Sequence, residues 1–313
     1  MIALLLELSR PLLADIHRAA GDWEISLPES EQEKEAAVAS AEIVFGWPHP
    51  AWLAGARNLR WLQMATAGVE KQAEALRNSK QPIILTSAVG AFAIPIAEHL
   101  FALLLALVRH LPFYLKDQGD KKWGKASMRE ELCGMTAGVA GYGAIGRAFA
   151  ERARAFGMEI IAFKRRESDA EPGVDAVYGQ EGLIKLLASS DVIVNCLPLT
   201  PATRSILDWQ NLSLTKTGAY FLNVGRGATV DEPALVRCLQ QGILAGAGLD
   251  VFSEEPLPAS SPLWNMPNVI ITPHVAGLTE YSLPRIVDIF CDNLQRYRVG
   301  LPLRNLVDPE VGY

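Results

Sequence analysis

The glycine pattern Gly141-x-Gly143-x-x-Gly146 limits what this 313-residue chain can fold into more than any other feature. It follows an apolar run that ends at Ala140 and precedes a helical pattern that continues to Phe156. In that position the first glycine allows a tight turn, the second lets the backbone approach a pyrophosphate, and the third lets the helix pack closely on the strand. The start of the helix then offers N–H groups to an anion. The pattern therefore predicts a strand–turn–helix unit that binds a dinucleotide.

Apolar runs alternate with helical patterns on both sides of this unit. The strands we expect lie at Ile2–Leu6, Ile43–Phe45, Trp61–Met64, Ile83–Thr86, Ala137–Ala140, Glu159–Phe163, Val192–Cys196, Ala219–Val224, Ala247–Asp250 and Val269–Thr272. Helices are expected between and after them, among them Pro11–Ala20, Val69–Arg77, Ala144–Phe156, Glu232–Gln241 and Ser282–Arg298. Such alternation predicts parallel sheets with helices on both faces. We therefore expect an α/β fold of two doubly wound parallel-sheet domains, the larger a Rossmann dinucleotide-binding domain.

Charge and composition exclude several classes of protein. The net charge is −6 and the pI is near 5.5, which argues against nucleic acid or a membrane surface as partner. The longest apolar run, Leu100–Val108, is about half the roughly 20 residues that a membrane-spanning helix needs. The cysteines are dispersed and lack the spacing of a metal site, at Cys133, Cys196, Cys238 and Cys291. We expect no metal, reduced thiols and a cytoplasmic location.

The segment Phe92–His110 is apolar almost all round. A helix without a polar face is buried, either within its own domain or against a partner. We favour a subunit interface, which would make the protein a homodimer. The alternative is a core helix between domains.

Three cations, Lys164, Arg165 and Arg166, stand about 20 residues after the glycine pattern. A site specific for NAD usually has an acidic residue there, which binds the ribose 2′-hydroxyl. A guanidinium instead suits a 2′-phosphate, which it can bind with two parallel hydrogen bonds. The sequence therefore favours NADP(H), with NAD(H) still possible. The alternative is an ordinary solvated basic turn, partly neutralised by Glu167 and Asp169.

Polar segments follow three of the later strands, at the sheet edge where doubly wound folds bind ligands. They carry Arg226 between two glycines, Glu254 and Glu255 before a proline, and His274 after a proline. A guanidinium can bind a carboxylate and polarise a carbonyl, and an imidazole can donate a proton to a ketone that is being reduced. Either glutamate could orient that imidazole. Each residue alone is typical of a surface or structural position, but together they predict acid–base chemistry on a hydroxy acid.

Five segments carry a family resemblance: Gly141–Gly146, Cys196–Thr203, Gly225–Gly227, Asp250–Pro256 and Pro273–Gly277. Together they resemble the D-isomer-specific 2-hydroxyacid dehydrogenases, which include glyoxylate/hydroxypyruvate reductases and phosphoglycerate dehydrogenases. The resemblance covers essentially the whole chain. It implies a substrate domain of residues 1–94 plus 280–313, a dinucleotide-binding domain of residues 95–279 with a dimerisation helix, and an active-site cleft between them. It also supports a homodimer.

The resemblance implies a role for each of the polar residues. Arg226 would bind the carboxylate and carbonyl of the substrate, and His274 would exchange the proton. Glu255 would be the partner of His274, because the family's glutamate directly precedes the proline, and Asp250 would hold the nicotinamide carboxamide. The expected cofactor-binding residues are Gly141, Tyr142, Gly143, Ala144, Ile145, Gly146, Lys164, Arg165, Arg166, Leu197, Pro198, Thr203, Val224, Gly225, Asp250 and Gly277.

The substrate is expected to be a small 2-keto acid such as glyoxylate or hydroxypyruvate, reduced to the D-2-hydroxy acid, and the reverse oxidation is expected as well. The resemblance implies that backbone N–H groups of Ala67, Gly68 and Val69 bind its carboxylate, together with Arg226 and His274. The family usually has Asp where this loop has Glu70. Trp47 could wall a small pocket, or it could simply be buried under its loop.

Three rival functions remain. One is NAD-dependent oxidation of phosphoglycerate or another D-2-hydroxy acid. A second is formate dehydrogenase, which Glu255 argues against because a substrate that loses only hydride has no proton to exchange. The third is a dinucleotide-sensing binding protein similar to the family's transcriptional corepressors, which turnover of a 2-keto acid would exclude.

Overall fold

The computed structural model describes residues 1–77, 79, 82–126, 130–165, 171 and 173–308. The strands in these residues are β1 Ile2–Leu5, β2 Ile25–Ser26, β3 Ile43–Gly46, β4 Trp61–Met64, β5 Ile84–Thr86, β6 Thr136–Ala140, β7 Glu159–Phe163, β8 Ala176–Tyr178, β9 Val192–Asn195, β10 Ala219–Asn223, β11 Leu244–Leu249 and β12 Val269–Ile271. The α-helices are α1 Arg10–Ala20, α2 Glu31–Ser40, α3 Glu70–Arg77, α4 Ala93–Val108, α5 Leu111–Gly119, α6 Ala144–Ala155, α7 Leu183–Ser189, α8 Trp209–Leu212, α9 Glu232–Gln240 and α10 Ser282–Arg298.

The chain divides into two compact units. The smaller contains Met1–Phe92 and Thr279–Tyr313, and the larger contains Ala93–Leu278. Each has one parallel sheet, which confirms the predicted class of two doubly wound α/β domains. The predicted boundaries, after residues 94 and 279, lie within two residues of this division.

The smaller unit is built on a five-stranded sheet in the order β2-β1-β3-β4-β5. Successive residues of β1 enter two different cores, Ile2 on one face of the sheet and Ala3 on the other, because side chains alternate along a strand. Helix α10 covers the first of these faces beside α1, and its Phe290 stacks on Phe45 at 4.1 Å between ring centroids. The last helix of the chain therefore completes the core of the first domain.

The larger unit is built on a seven-stranded parallel sheet in the order β12-β11-β10-β9-β6-β7-β8. The order reverses between β6 and β9, which are hydrogen-bonded neighbours. In open α/β sheets, ligands bind at the carboxyl ends of the strands beside such a reversal. The loops after β6, β7, β9, β10, β11 and β12 therefore define where a site is expected in this unit.

Helix α4, which contains most of the apolar segment, belongs to the core of the larger unit. Leu100, Leu104 and Leu107 are buried in a cluster that also contains residues of α6, β6, β7, β9 and β10. None of the helices in the described part of the chain is long and apolar enough to span a membrane alone. Only α4 and α5 taken together meet that length, and they are bent by 69° at their junction.

Several elements are not among those that the sequence analysis places by residue. They are strands β2 and β8 and helices α2, α5, α7 and α8, and the larger sheet has seven strands rather than six. Both missed strands are short edge strands of two and three residues, so no apolar alternation could develop. Helix α2 is polar along most of its length and begins with a capping box between Ser30 and Glu33.

Candidate active site

The turn between β6 and α6 has the geometry that its glycines predict. Gly141 has a φ of 94°, and a Cβ there would lie 2.7 Å from the carbonyl carbon of Cys196. A Cβ at Gly143 would meet nothing within 4 Å, whereas one at Gly146 would lie 2.9 Å from the carbonyl oxygen of Gly141. The middle glycine thus faces open space while the other two are packed. This arrangement leaves room for a ligand to approach the backbone at Gly143 alone.

The start of α6 fits an anionic ligand. Its N-cap is Gly143, and no side chain caps the helix. Ala144 and Ile145, the first two helical residues, are half-buried, and Tyr142 is buried beneath the Arg147 guanidinium, 5.6 Å from the ring centroid. An uncapped helix N-terminus with open space at a glycine suits a dinucleotide pyrophosphate.

The cations after β7 are less free than the sequence indicates. Lys164 is half-buried and forms an ion pair with Glu171, and Arg147 lies 3.8 Å from the other oxygen of the same carboxylate. The hydrogen bond from Lys164 holds the pKa of Glu171 below its usual value. Arg165 is exposed. Arg166, with the expected neutralising residues Glu167 and Asp169, lies outside the described residues.

Sequence reasoning missed Glu171 altogether. Its position, seven residues after Lys164, falls in a polar stretch without periodicity, so no pattern indicated which cation it would meet. A carboxylate that is paired with Lys164 competes with any anionic ligand group that Lys164 could bind.

The ends of β9 and β10 are joined by a buried amide pair. Asn195 donates to the side-chain oxygen of Asn223 at 3.0 Å and accepts a hydrogen bond from the backbone N–H of Leu197 at 3.2 Å. Asn223 also accepts from the N–H of Gly225 at 3.2 Å. The following loop is closed by the Thr203 hydroxyl, which donates to the carbonyl of Pro198 at 2.6 Å, and Val224 between the loops is buried. The residues that are expected to border the cofactor here thus lie on loops whose own hydrogen bonds hold them in place. They are Leu197, Pro198, Thr203, Val224 and Gly225.

Arg226 is held in a turn between two closely packed glycines. A Cβ at Gly225 would lie 2.7 Å from the carbonyl oxygen of Leu197, and one at Gly227 would overlap the carbonyl carbon of Phe252 at 1.8 Å. The half-buried guanidinium donates through Nη1 to the carbonyl of Gly225 at 2.8 Å. Because a side chain at Gly227 would collide with backbone, the turn is pressed against the loop after β11.

Glu255 joins the loop after β11 to His274. One oxygen of Glu255 accepts from the backbone N–H of Phe252 at 2.9 Å, and the other lies 2.8 Å from Nδ1 of His274. Glu254 and Glu255 are both exposed, so the contact with His274 and not burial distinguishes Glu255. An ionised carboxylate only accepts hydrogen bonds, so Nδ1 carries the proton in this contact and Nε2 is the nitrogen left for a ligand. The His274 side chain is 54% exposed, which gives a ligand access to it.

The turn that carries His274 is fixed by Asp250, which is only 2% exposed. Its carboxylate accepts from the N–H groups of Val275 and Ala276, both at 3.0 Å, and its carbonyl accepts from the N–H of His274 at 2.9 Å. Gly277, half-buried, follows in the same turn. The expected role of Asp250 toward the carboxamide stays a prediction, since most of its hydrogen-bonding capacity serves the turn.

The remaining expected residues lie in the smaller unit. Trp47 follows β3 and is 49% exposed, so it is not buried under its loop. Ala67, Gly68 and Val69 form the connection from β4 to α3, in which the Thr66 hydroxyl donates to the carbonyl of Gly68 at 2.7 Å. Their roles toward a substrate stay predictions.

Comparison with known proteins identifies the family. Residues 101–276 match the model of the D-isomer specific 2-hydroxyacid dehydrogenase NAD binding domain. Glyoxylate reductase of Pyrococcus furiosus is 36% identical over 244 residues, 74% of this chain and 68% of that protein. A D-isomer specific 2-hydroxyacid dehydrogenase family protein from Aeromonas salmonicida subsp. salmonicida A449 is 34% identical, with a TM-score of 0.86 over 98% of each chain.

A second solved structure contains a bound dinucleotide. The NADPH-dependent glyoxylate/hydroxypyruvate reductase of Sinorhizobium meliloti, in complex with NADP and sulfate, is 27% identical, with a TM-score of 0.86 over 100% of this chain and 99% of that one. The family model covers more than half of the chain, and the expectation from the sequence is confirmed. The chain belongs to the D-isomer-specific 2-hydroxyacid dehydrogenase family.

Proposed function

We propose that this protein reduces a small 2-keto acid to the D-2-hydroxy acid with a nicotinamide dinucleotide, and catalyses the reverse oxidation. The observation that carries the proposal is the 2.8 Å contact between Glu255 and Nδ1 of His274, on a loop that also packs against the Arg226 turn. These groups lie at the carboxyl edge of a sheet whose Gly143 turn is open to a dinucleotide.

Each of the three polar residues has a chemical task in this proposal. The bound dinucleotide supplies the hydride. His274 gives a proton from Nε2 to the oxygen that gains negative charge, and takes it back in the oxidation, while Glu255 keeps the ring oriented through Nδ1. Arg226 supplies a guanidinium cation, which binds the carboxylate and stabilises the charge on the reacting oxygen.

Relatives favour glyoxylate or hydroxypyruvate as the substrate, since the proteins from Pyrococcus furiosus and Sinorhizobium meliloti carry those names. NAD-dependent oxidation of phosphoglycerate or another D-2-hydroxy acid is the alternative within the family. A dinucleotide-sensing binding protein could keep the pair of Glu255 and His274 as well, so turnover of a 2-keto acid is what distinguishes the enzyme from it.

NADPH is the proposed cofactor. Lys164 and Arg165 support it, because both follow β7 where a ribose 2′-phosphate would meet cations. The pairing of Lys164 with Glu171 weakens this support, so we propose a moderate preference rather than exclusion of NADH.

We also propose a homodimer that works in the cytoplasm. Apolar side chains of α4 and α5 that the larger unit does not cover support the dimer: Ile94 and Leu111 are 41% and 46% exposed, and Leu115 is 66% exposed. The four cysteines are unpaired, in keeping with a reducing compartment.

A panel of 2-keto acids assayed with NADPH and NADH in parallel tests the proposal. We expect NADPH-dependent reduction of glyoxylate or hydroxypyruvate, which His274→Ala lowers by about 10²–10⁴-fold, the usual contribution of a general acid. Glu255→Gln should lower kcat as well, because the imidazole loses its anionic partner. His17→Ala and Glu254→Gln are matched controls at exposed positions and should keep full activity.

Two results would overturn the proposal. Tight NADPH binding without turnover of any 2-keto acid would favour the binding-protein function, and turnover of formate with NAD would favour formate dehydrogenase. Undiminished kcat in His274→Ala would remove His274 from the mechanism even if the wild-type protein is active.

A further inference from the structure

We propose that His99, on α4, is a positioning residue for the reaction, and that it acts on the His274 turn through Thr272 and the buried carboxylate of Asp250. This inference rests on the proposed function. All four residues belong to the larger unit, although 175 positions of the sequence separate the first from the last.

A continuous chain of hydrogen bonds joins these residues. Nε2 of His99 lies 3.0 Å from the Thr272 hydroxyl, and that hydroxyl donates to the Asp250 carboxylate at 2.6 Å. The same carboxylate oxygen accepts from the N–H of Val275 at 3.0 Å, and the other oxygen accepts from the N–H of Ala276 at 3.0 Å. Asp250 therefore accepts hydrogen bonds from the Thr272 hydroxyl, before His274 in the sequence, and from the two backbone amides after it.

The direction of the first bond follows from the second. A carboxylate cannot donate, so the Thr272 hydroxyl proton points to Asp250, and only the lone pairs of the hydroxyl oxygen remain for His99. His99 must therefore donate through Nε2–H. This bond orients the hydroxyl and strengthens its donation to Asp250, since hydrogen bonds in a chain polarise one another.

The His274 turn needs this support because its backbone is strained. His274 has a φ of 54°, a left-handed conformation that residues with a Cβ rarely adopt and that persists only where the surroundings enforce it. Its N–H donates to the Asp250 carbonyl at 2.9 Å, so Asp250 holds the turn by both backbone and side chain. Loosening Asp250 would let the imidazole leave the position in which Nε2 meets the substrate.

The position of His99 also argues for a specific role. His99 follows the exposed Glu98 on α4 and precedes the apolar run Leu100–Val108, and its own side chain is only 21% exposed. Nε2 lies 3.8 Å from the Asp250 carboxylate, so the ring faces the carboxylate and its hydroxyl partner together. A residue needed only to fill this largely buried space would be apolar, as the buried residues of α4 after it are.

Four variants test the inference. His99→Leu removes the donor at similar volume, and His99→Gln keeps a donor because the glutamine amide can reach where Nε2 lies. Thr272→Val removes the hydroxyl, and the His99→Leu/Thr272→Val double variant shows whether His99 acts through it. Glu98→Gln, which changes an exposed residue next to His99, is the matched control.

We expect His99→Leu to lower kcat about five- to ten-fold, the usual effect of one lost hydrogen bond, with less than a two-fold change in KM for the keto acid and in Kd for NADPH. His99→Gln should recover most of kcat, and the double variant should be no slower than Thr272→Val alone. A thermal melt of each variant checks folding. A role limited to packing would give no rescue by Gln and additive losses in the double variant.

Hydrogen exchange provides a readout that does not depend on turnover. The peptide containing Val275 and Ala276 should exchange faster in His99→Leu than in the wild type, and at the wild-type rate in His99→Gln and Glu98→Gln. If no keto acid is reduced, the proposed function fails while exchange still shows whether His99 orders the turn. Unchanged exchange and kcat in a folded His99→Leu would overturn the inference.

Discussion

The loops that follow the strands are held in place to different degrees in the two halves of the seven-stranded sheet. In the half formed by β10, β11 and β12, the loops are locked together: Gly227 is pressed against the backbone of Phe252, and Asp250 holds the turn that carries His274. In the half formed by β6, β7 and β8, Gly143 faces open space and Lys164 forms an ion pair with Glu171.

This difference separates groups that must be rigid from groups that must receive a ligand. A general acid works only within a narrow geometry, so its loop gains from fixed internal bonds. Under the proposed function a dinucleotide must enter and leave, so open space at Gly143 suits its approach, and Lys164 would exchange Glu171 for an anionic group of the ligand. The same sheet edge therefore contains a preorganised half and a receptive half.

Two glycine substitutions, one in each half of the sheet, should have the largest effects on stability, activity and NADPH binding. Gly227→Ala would place a methyl group 1.8 Å from the Phe252 carbonyl carbon, so the backbone must shift and the Arg226 turn with it. We expect a loss of about 1–3 kcal/mol or more in stability and of most of kcat, measured by chemical denaturation and steady-state assay. Gly143→Ala meets no protein atom within 4 Å, so it should fold normally but bind NADPH at least ten-fold more weakly.

A third substitution provides the control. Gly55, in the smaller unit, also has open space where a methyl group would be added and lies away from the glycine pattern, so Gly55→Ala should leave stability and NADPH affinity unchanged. Unaltered NADPH binding in Gly143→Ala would show that the dinucleotide does not approach this turn. A fully stable Gly227→Ala would show that the preorganised half is softer than its contacts indicate.

Sequence reasoning located features that depend on local pattern. The glycine turn followed from the spacing of Gly141, Gly143 and Gly146, and the strand ends that carry Arg226 and His274 followed from apolar runs that stop at polar residues. Both signals lie within a few residues of the position that they predict. The closeness of Glu255 to His274 required the family resemblance, because no local pattern distinguishes it from Glu254.

Features that depend on distant pairing could not be predicted. Nothing near His99 in the sequence indicates that Thr272 would lie 3.0 Å from it, and nothing near Lys164 singles out Glu171 as its partner. Helix α2 is a different case, since the Ser30–Glu33 capping box was visible in the sequence and its polar composition hid it. Tertiary packing, and not propensity, decides such contacts.

Glu171→Gln should have an intermediate effect, on the affinity for NADPH in the half formed by β6, β7 and β8. Removing the carboxylate leaves Lys164 and Arg147 without this anion, so the local potential becomes more positive and a 2′-phosphate binds more readily. We expect KM for NADPH to fall about two- to five-fold, the worth of a partly exposed ion pair, while KM for NADH stays unchanged. Steady-state kinetics with both cofactors measures the ratio.

Glu181→Gln is the control for this charge change, since Glu181 is exposed in the short 3-10 helix that follows β8. It should leave both KM values within experimental error. An increase in KM for NADPH in Glu171→Gln would mean that Glu171 orients Lys164 for the phosphate instead of competing with it, and the receptive half would then be preorganised as well.

The smallest effect concerns Cys196, which follows β9 between the two halves. Its backbone contacts the glycine turns of both, since a Cβ at Gly141 or Gly225 would lie 2.7 or 3.2 Å from its carbonyl carbon. Burial raises the pKa of the Cys196 thiol to about 12, because the thiolate loses its hydration. At pH 8 only about one thiol in ten thousand is then ionised, and alkylating reagents need the thiolate.

Iodoacetamide at pH 8, followed by peptide mass spectrometry, should therefore modify the exposed Cys133 and leave Cys196 unmodified, with no loss of activity from the modification. Raising the pH to 9 should increase the Cys196 thiolate only about ten-fold, to a fraction that is still negligible, so the pattern should persist. Cys196 is half-buried, so its rapid modification would require frequent movement of the loops around it. If NADPH suppressed that movement, the loop after β9 would belong with the loops that open to the ligand. The boundary between the two halves of the sheet would then lie at β10.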